Sequence, residues 1–491
     1  MRSIFFFLLL PFSSFAGKDF DFNANCRAAY NEIIQLKLNN GQQLINKEKV
    51  EHPDNLIAVF LENYIDFFTL FFNEDPAQYN SRRKIMDRRL YLVSQGPPSS
   101  PFFLFTRSVI NFQWASVRLK FGYQWEGGWQ LRRAFLDIKE NQKRFPSFSP
   151  NSFYNGTMKV AVSTIPEGYA WLGNLFGLKK SGMDGLKQLE QFLTQHDAYA
   201  ELFRSEATFH YLFLKFYIGN ERSDVFQYMR AHGLDTKNNH LFAYLAANLS
   251  INNQQSANAE QIITSRNTSA EYMQTSIWDL ELGYAKMNHL DDDAAIYMER
   301  FLNNFKGRYY VKDVMRKLSW YHYLKGDQPG ADHYRKMVLE NGSADSDADK
   351  VALKEARSGI WPDKILLKAR LLNDGGYHME ALRLLQGKRP VDFQTADDKL
   401  EFVYRVARLY DDLGRDEESV EFYKQVVTAG DRRKDYYAAR SALQLGYIYE
   451  QRADRPMALY WFNRCLSMKG HDYKNSLDQR AKAGVLRCSP Q

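Results

Sequence analysis

Three segments between residues 363 and 468 carry the fold: DKILLKARLLNDGGYHMEALRLLQ (363–386), LEFVYRVARLYDDLGRDEESVEFYKQVV (400–427) and ARSALQLGYIYEQRADRPMALYWFNRCLSM (439–468). Each carries apolar residues at helical spacing, breaks near Gly375, Gly414 or Ala453, and resumes at a small residue: Ala381, Ser419 or Ala458. Those small residues lie 38 and 39 positions apart. In the first half of each segment Ala369, Ala407 and Gly446 take the small position, and Leu372, Tyr410 and Tyr449 follow three residues later on the same helix face. In the second half Leu385, Tyr423 and Phe462 follow the small residue by four. The pattern is two antiparallel helices that touch through small side chains, written three times. One such pair cannot bury its own apolar face, so neighbouring pairs must stack.

The spacing is close to the roughly 34-residue tetratricopeptide period, with longer connections. The fold expected is all-α: a tetratricopeptide-like, right-handed helical solenoid preceded by a helical N-terminal region. Two further units lie upstream. One spans Thr275–Phe301, with Trp278, Leu282 and Ala285 followed by Ala294, Met298 and Phe301. The other spans Lys312–Leu339, with Gly326 at the turn and Ala331 opening its second helix. Ala331 stands 37 residues after Ala294 and 50 before Ala381, so the polar stretch Gly342–Lys350 is expected to be an inserted loop. The division that follows is 1–16 a signal peptide, 17–195 a helical N-terminal region, 196–350 degenerate repeats, and 351–491 regular repeats closed by a capping helix at Leu477–Leu486.

The signal is read from Arg2, the apolar run Ile4–Phe12, and small residues at Ser14 and Ala16. It implies export across a membrane, to the periplasm or cell envelope in a bacterium. A hydrophobic fraction of 45% with 25% charged residues fits a soluble globular chain. The net charge of +7 is spread without a dense basic run, which argues against a nucleic-acid partner. Three cysteines, Cys26, Cys465 and Cys488, are too few for a disulfide framework. Spacing alone leaves a Cys26–Cys488 or Cys465–Cys488 bridge open.

In the N-terminal region, Cys26–Leu38 is expected to be one helix. Leu56–Phe72 (LIAVFLENYIDFFTLFF) has the apolarity of a membrane span, but Glu62 and Asp66 interrupt it, so a buried helix is expected. Membrane association without spanning remains the alternative. Gly96–Pro101 breaks two helices, and Val160–Leu193 holds two more around Pro166. Asp291, Asp292 and Asp293 are expected to cap the helix that follows them. His378-Met379-Glu380 reads as a helix start rather than a metal site. No HExxH, GxSxG, CxxC, Walker or dinucleotide motif occurs, so neither an enzyme nor a cofactor is expected.

The order of segments resembles the tetratricopeptide-repeat-39 and inclusion-body-clearance proteins. The likeness rests on Gly128 with Leu131-Arg132-Arg133-Ala134, on Ile165-Pro166 with Leu175-Phe176-Gly177-Leu178 and Gly182-Met183-Asp184-Gly185-Leu186, and on Trp278-Asp279-Leu280-Glu281-Leu282. It implies a helical, non-enzymatic adaptor linked to lipid and inclusion clearance. The signal peptide departs from the cytosolic setting of those proteins.

Stacked repeats present their first helices on a concave surface. The register places Leu366, Arg370 and Asn373, then Glu401, Tyr404, Arg408 and Asp411, then Arg440, Leu443, Tyr447 and Glu450 on that side. Arg and Tyr most often carry interface energy. The expected partner groove is therefore Arg370, Asn373, Tyr404, Arg408, Asp411, Arg440, Tyr447 and Glu450, holding a peptide or helix of a protein partner. The competing reading is a carrier or sensor of an amphiphile, using the aromatic residues around Phe67–Phe72 and Trp171.

Overall fold

Helix starts along the chain are written by short polar side chains. Asn55, Asp75, Ser100, Asp197, Asn239, Asp363 and Thr395 each accept from backbone N–H groups of the turn that follows them. Several helices stop at a left-handed glycine, among them Gly326, Gly359 and Gly376. At the corresponding turn Ala453 adopts φ 59° without glycine's freedom.

The structure is a computed structural model that describes residues 17–163, 182–219 and 222–489. The expected signal at 1–16, Trp171 and most of the 165–186 motif lie outside the described residues. The described chain is all-helical, with a single isolated bridge between Asp19 and Asn55 and no strand. The N-terminal helices are α1 (Ala24–Ile34), α2 (Leu38–Glu51), α3 (Leu56–Asn73), α4 (Pro76–Val93), α5 (Pro101–Lys120), α6 (Gln124–Arg144), α7 (Pro150–Ser163), α8 (Gly182–Leu193), α9 (Ala198–Leu214) and α10 (Arg222–Ala231). A π-helical turn, Lys215–Gly219, extends α9. Then come α11 (His240–Asn252), α12 (Ser256–Ser265), α13 (Ile277–His289), α14 (Ala294–Asn304), α15 (Val311–Lys325), α16 (Gln328–Glu340) and α17 (Asp347–Ser358). The chain ends with α18 (Lys364–Gly375), α19 (His378–Leu385), α20 (Ala396–Asp412), α21 (Asp416–Gly430), α22 (Tyr437–Gln451), α23 (Arg455–Ser467) and α24 (Lys474–Cys488).

From α11 onward the helices pack in neighbouring pairs: α11 on α12, α13 on α14, α15 on α16, α18 on α19, α20 on α21 and α22 on α23. The small residues do what their spacing demands. Ala369, Ala407, Ala381, Ser419 and Ala458 are fully buried where paired helices meet, and Leu385, Tyr423 and Phe462 fill the space beside them. The first helices form a chain of contacts of their own, α13 to α18 to α20 to α22 to α24. The α11–α12 turn reaches into the same row: Gln254 donates to the Asn373 carbonyl at 3.1 Å and to Asp412 at 2.7 Å.

Three local expectations are corrected. Cys26–Leu38 is two helices, because Leu36 turns left-handed at φ 63° and its carbonyl accepts from Met273 at 2.8 Å. The inserted segment after α16 is a short loop and then α17, not a loop throughout. Ser346 caps α17, Asp347 and Asp349 occupy its positive end, and Ala352 and Ala356 bury against Met315 and Val338. The aspartates before α14 do not cap it, since Asp293 makes no side-chain cap bond. Asp291 and Asp293 pair with Lys286 at 3.7 and 3.0 Å, and Asp292 pairs with Lys325.

α3 is long and apolar enough to cross a membrane, and most of it is buried in the N-terminal core. Its Asp66 is buried and paired with Arg82 and Arg89 of α4. The N-terminal core holds a second polar island. Glu206 of α9 accepts from the hydroxyls of Tyr30 and Tyr154 at 2.6 Å each and of Tyr64 at 3.1 Å. Burial pushes the Glu206 carboxyl up from 4.5 to about 7, and the three phenol donors oppose that only in part. Between those values the folded state holds a proton that the unfolded chain has released. The contribution of the neutral carboxyl is therefore complete below about 4.5 and is lost as pH rises through about 7. The shift corresponds to roughly 3 kcal/mol. Glu206→Gln should thus gain roughly that much on the wild type between pH 4 and pH 8 in urea titrations; parallel pH profiles for the two proteins would refute the assignment.

Candidate functional site

The row of first helices lines a cavity of about 580 Å³ that is open on one side to solvent. Its walls come from the end of α11, from α13, α15, α18, α20, α22 and α24, and from the start of α10. Six residues of the expected groove line it: Arg370, Tyr404, Arg408, Asp411, Arg440 and Tyr447. Two do not. Asn373 is buried beside the cavity, donating to Asp412 at 2.9 Å and meeting His378 Nδ1 at 2.8 Å. Glu450 is held on α22 by Arg487, with two bonds of 2.7 and 2.8 Å. Leu366 and Leu443, also placed on the concave side by register, are fully buried core residues. The reason is geometric: a helix packed on both sides has a narrow open stripe, and positions at its margin face a neighbour instead of the cavity.

Periodicity within 363–468 carries no signal for the residues contributed from elsewhere. These are Arg222 of α10, Tyr284 of α13, Lys317 of α15, and Tyr473 and Arg480 at the C-terminal end. The chain closes on itself here: α24 packs against the π turn, and Arg487 donates to the Ile218 carbonyl at 3.3 Å. Arg222 follows that turn, which places it opposite α22 and α24.

The cavity is polar and divided electrostatically. At one end the acids are neutralised. Asp374 accepts from Arg408 at 2.6 Å and lies 3.8 Å from Arg370. Burial works against its charge, but Arg408, Arg370 and Arg405 together hold its carboxyl down to about 2. Asp412 takes bonds from Gln254 and Asn373 and lies 3.8 Å from Arg408. Asp411 accepts from Tyr423 at 2.8 Å and Gln444 at 2.9 Å, and burial pushes its carboxyl up. Arg408 therefore has two carboxylates to satisfy. It is a structural cation as well as a lining one: its removal would leave Asp374 to Arg370 at 3.8 Å and Asp412 to its amide donors.

At the other end stand Arg222, Arg440 and Arg480, with no carboxylate at ion-pair distance among the described residues. Burial, then Arg480 and Arg440, depress the Arg222 guanidinium to about 10, and its Nε is buried without a hydrogen-bond partner. Arg480 is lowered likewise, by burial and then by Arg440. Arg222 remains charged at neutral pH.

A second recess of about 150 Å³ adjoins the first and shares Ile251, Asn252 and Tyr284 as a wall; it is lined by Phe71, Phe72, Tyr244, Phe301 and Phe305. Its volume is below the roughly 300–1,000 Å³ of ordinary small-molecule sites. Phe68 and Phe72, from the stretch named for an amphiphile, belong to the buried core. The only three-residue group of metal-ligand type among the described residues, Glu48, Glu51 and His52, is spoken for at Glu48, which accepts from Asn23, Asn25 and Asn55. No family model matches the chain, and no curated protein matches it, so the likeness to tetratricopeptide-repeat-39 proteins gains no support from either comparison.

Proposed function

We propose that the protein is a non-catalytic scaffold of tetratricopeptide-like, solenoidal architecture, exported across a membrane, whose interior cavity holds a segment of a protein partner. The observation that carries this reading is the convergence of six register-assigned side chains on one cavity of about 580 Å³. Arginine and tyrosine, the residues that anchor interfaces most often, dominate its lining. The carboxylates present are tied to arginine or amide partners, an arrangement that fixes shape rather than one that offers a free base.

The test fills the cavity without changing its charge. Asn252→Trp of α11 combined with Ser476→Trp of α24 adds one indole to the lining from each of two helices. Crosslinking in the native cells, followed by mass spectrometry, should recover one recurrent protein with the wild type and not with the filled variant. Recovery of the same protein in equal yield from both would sink the cavity as the binding site.

A further inference from the structure

Positive side chains outnumber negative ones in the lining of the cavity. Six cationic side chains line it against three carboxylates, Asp374, Asp411 and Asp412. The carboxylates are consumed at the α18–α20 end by Arg370, Arg408 and amide donors. At the far end Arg222, Arg440 and Arg480 stand together, close enough that each depresses another's protonation or is depressed by it. Like charges held in a partly buried site destabilise the fold unless an opposite charge meets them. They are not placed there by one helix alone: α10, α22 and α24 each bring one, and Arg222 is separated by more than two hundred residues from the other two. The Arg222 Nε–H is buried with nothing to bond to among the described residues.

Resting on the reading of this cavity as a binding site, we infer that Arg222, Arg440 and Arg480 form a receptor for a clustered oxyanion, a group carrying at least two negative charges on neighbouring oxygens. Guanidinium forks match both carboxylate and phosphoryl geometry, and each can give two parallel N–H···O bonds. The oxyanion is supplied either by an acidic chain segment or by a free phosphoester, and the chemistry of recognition is the same. Because the three arginines sit where the end of the chain meets the turn after α9, the anion bridges the two and holds the closure shut. The unliganded protein keeps that junction under charge repulsion, and the bound anion removes it.

Calorimetric titration of the full chain with inorganic pyrophosphate and, separately, with a hexaglutamate peptide tests this. At least one should bind at one per chain, raise the melting temperature, and weaken at high salt. Arg222→Gln with Arg480→Gln should lose tenfold or more in affinity, yet melt higher than the wild type when no anion is present, because the repulsion is gone. A purely structural role for the two arginines moves the melting temperature the other way. Binding of hexaglutamate alone assigns the source to an acidic chain segment; binding of pyrophosphate assigns it to a phosphoester. Binding of neither, or unchanged affinity in the double variant, overturns the inference. The two proposals fail separately. A crosslinked partner that the filled variant loses and the Arg222/Arg480 variant keeps refutes only the anion receptor. Arginine-dependent anion binding with no recurrent partner refutes only the protein scaffold.

Discussion

Phe462→Ala is expected to cost about 3–5 kcal/mol of stability, at the upper range for a buried large-to-small change. The phenyl ring is fully buried and spaces three helices. A Cβ added at Gly446 of α22 would lie 2.5 Å from it, and one added at Gly484 of α24 also 2.5 Å, so both glycines exist to admit this ring. Tyr447 meets it edge-on, with centroids 5.5 Å apart. Removing the ring leaves a void that two glycines cannot fill, because neither has a side chain to move into it. The consequence reaches the cavity, since α22 carries Arg440 and Tyr447 and α24 carries Arg480. Urea unfolding should show a lower midpoint, and pyrophosphate or hexaglutamate binding should weaken with it. A loss below about 1 kcal/mol would mean that the helices close over the void and that the three-helix contact is not as tight as the glycines imply.

Asp66→Ala is expected to cost a similar amount, about 3–5 kcal/mol, by a different mechanism. The Asp66 side chain is 4% exposed and Arg89 is 8% exposed, so the pair sits out of water. Arg82 and Arg89 both bond to it, and Glu62 approaches Arg89 only at 3.8 Å. Without Asp66 the Arg89 guanidinium has no close counter-charge, and moving it to solvent would open the α3–α4 contact. The control is a triple change, Asp66→Leu with Arg82→Leu and Arg89→Met. If charge is the cause, the triple variant should recover most of the loss, because a buried ion pair replaced as a unit by apolar groups is close to neutral. Equal destabilisation of the single and triple variants would assign the effect to packing.

Much of the C-terminal half is legible in the amino-acid sequence. Ala381, Ser419 and Ala458 mark helix contacts there because a helix pair can approach closely only where side chains are small, and that requirement is local. The apolar α3 is readable as buried because Glu62 and Asp66 do not belong in lipid; that Glu62 pairs with Lys49 of α2 and Asp66 with Arg82 and Arg89 of α4 is not. Local rules mislead where they meet a tertiary demand. Leu36 turns left-handed between α1 and α2 against helix periodicity, and its carbonyl accepts from Met273 far along the chain. The segment after Gly342 reads as polar loop, yet Ala352 and Ala356 find an apolar surface on α15 and α16 and make it a helix. Asp291–Asp293 have the composition of a cap but stand nearer to Lys286 and Lys325 than to free N–H groups.

Helicity, the starts and stops of most helices, and the residues that hold paired helices together are all written in the order of amino acids. They follow from interactions within about forty residues, which periodicity and capping record directly. The same register brings six of the eight expected groove residues to one cavity, because first-helix positions repeat. Packing over longer distances settles the rest: Asn373 and Glu450 turn to neighbours, α24 closes against the turn after α9, and Arg222 joins Arg440 and Arg480. Closure is the sum of many small packing angles, and charge density is a property of the closed space, so neither is encoded at a spacing that any single stretch displays.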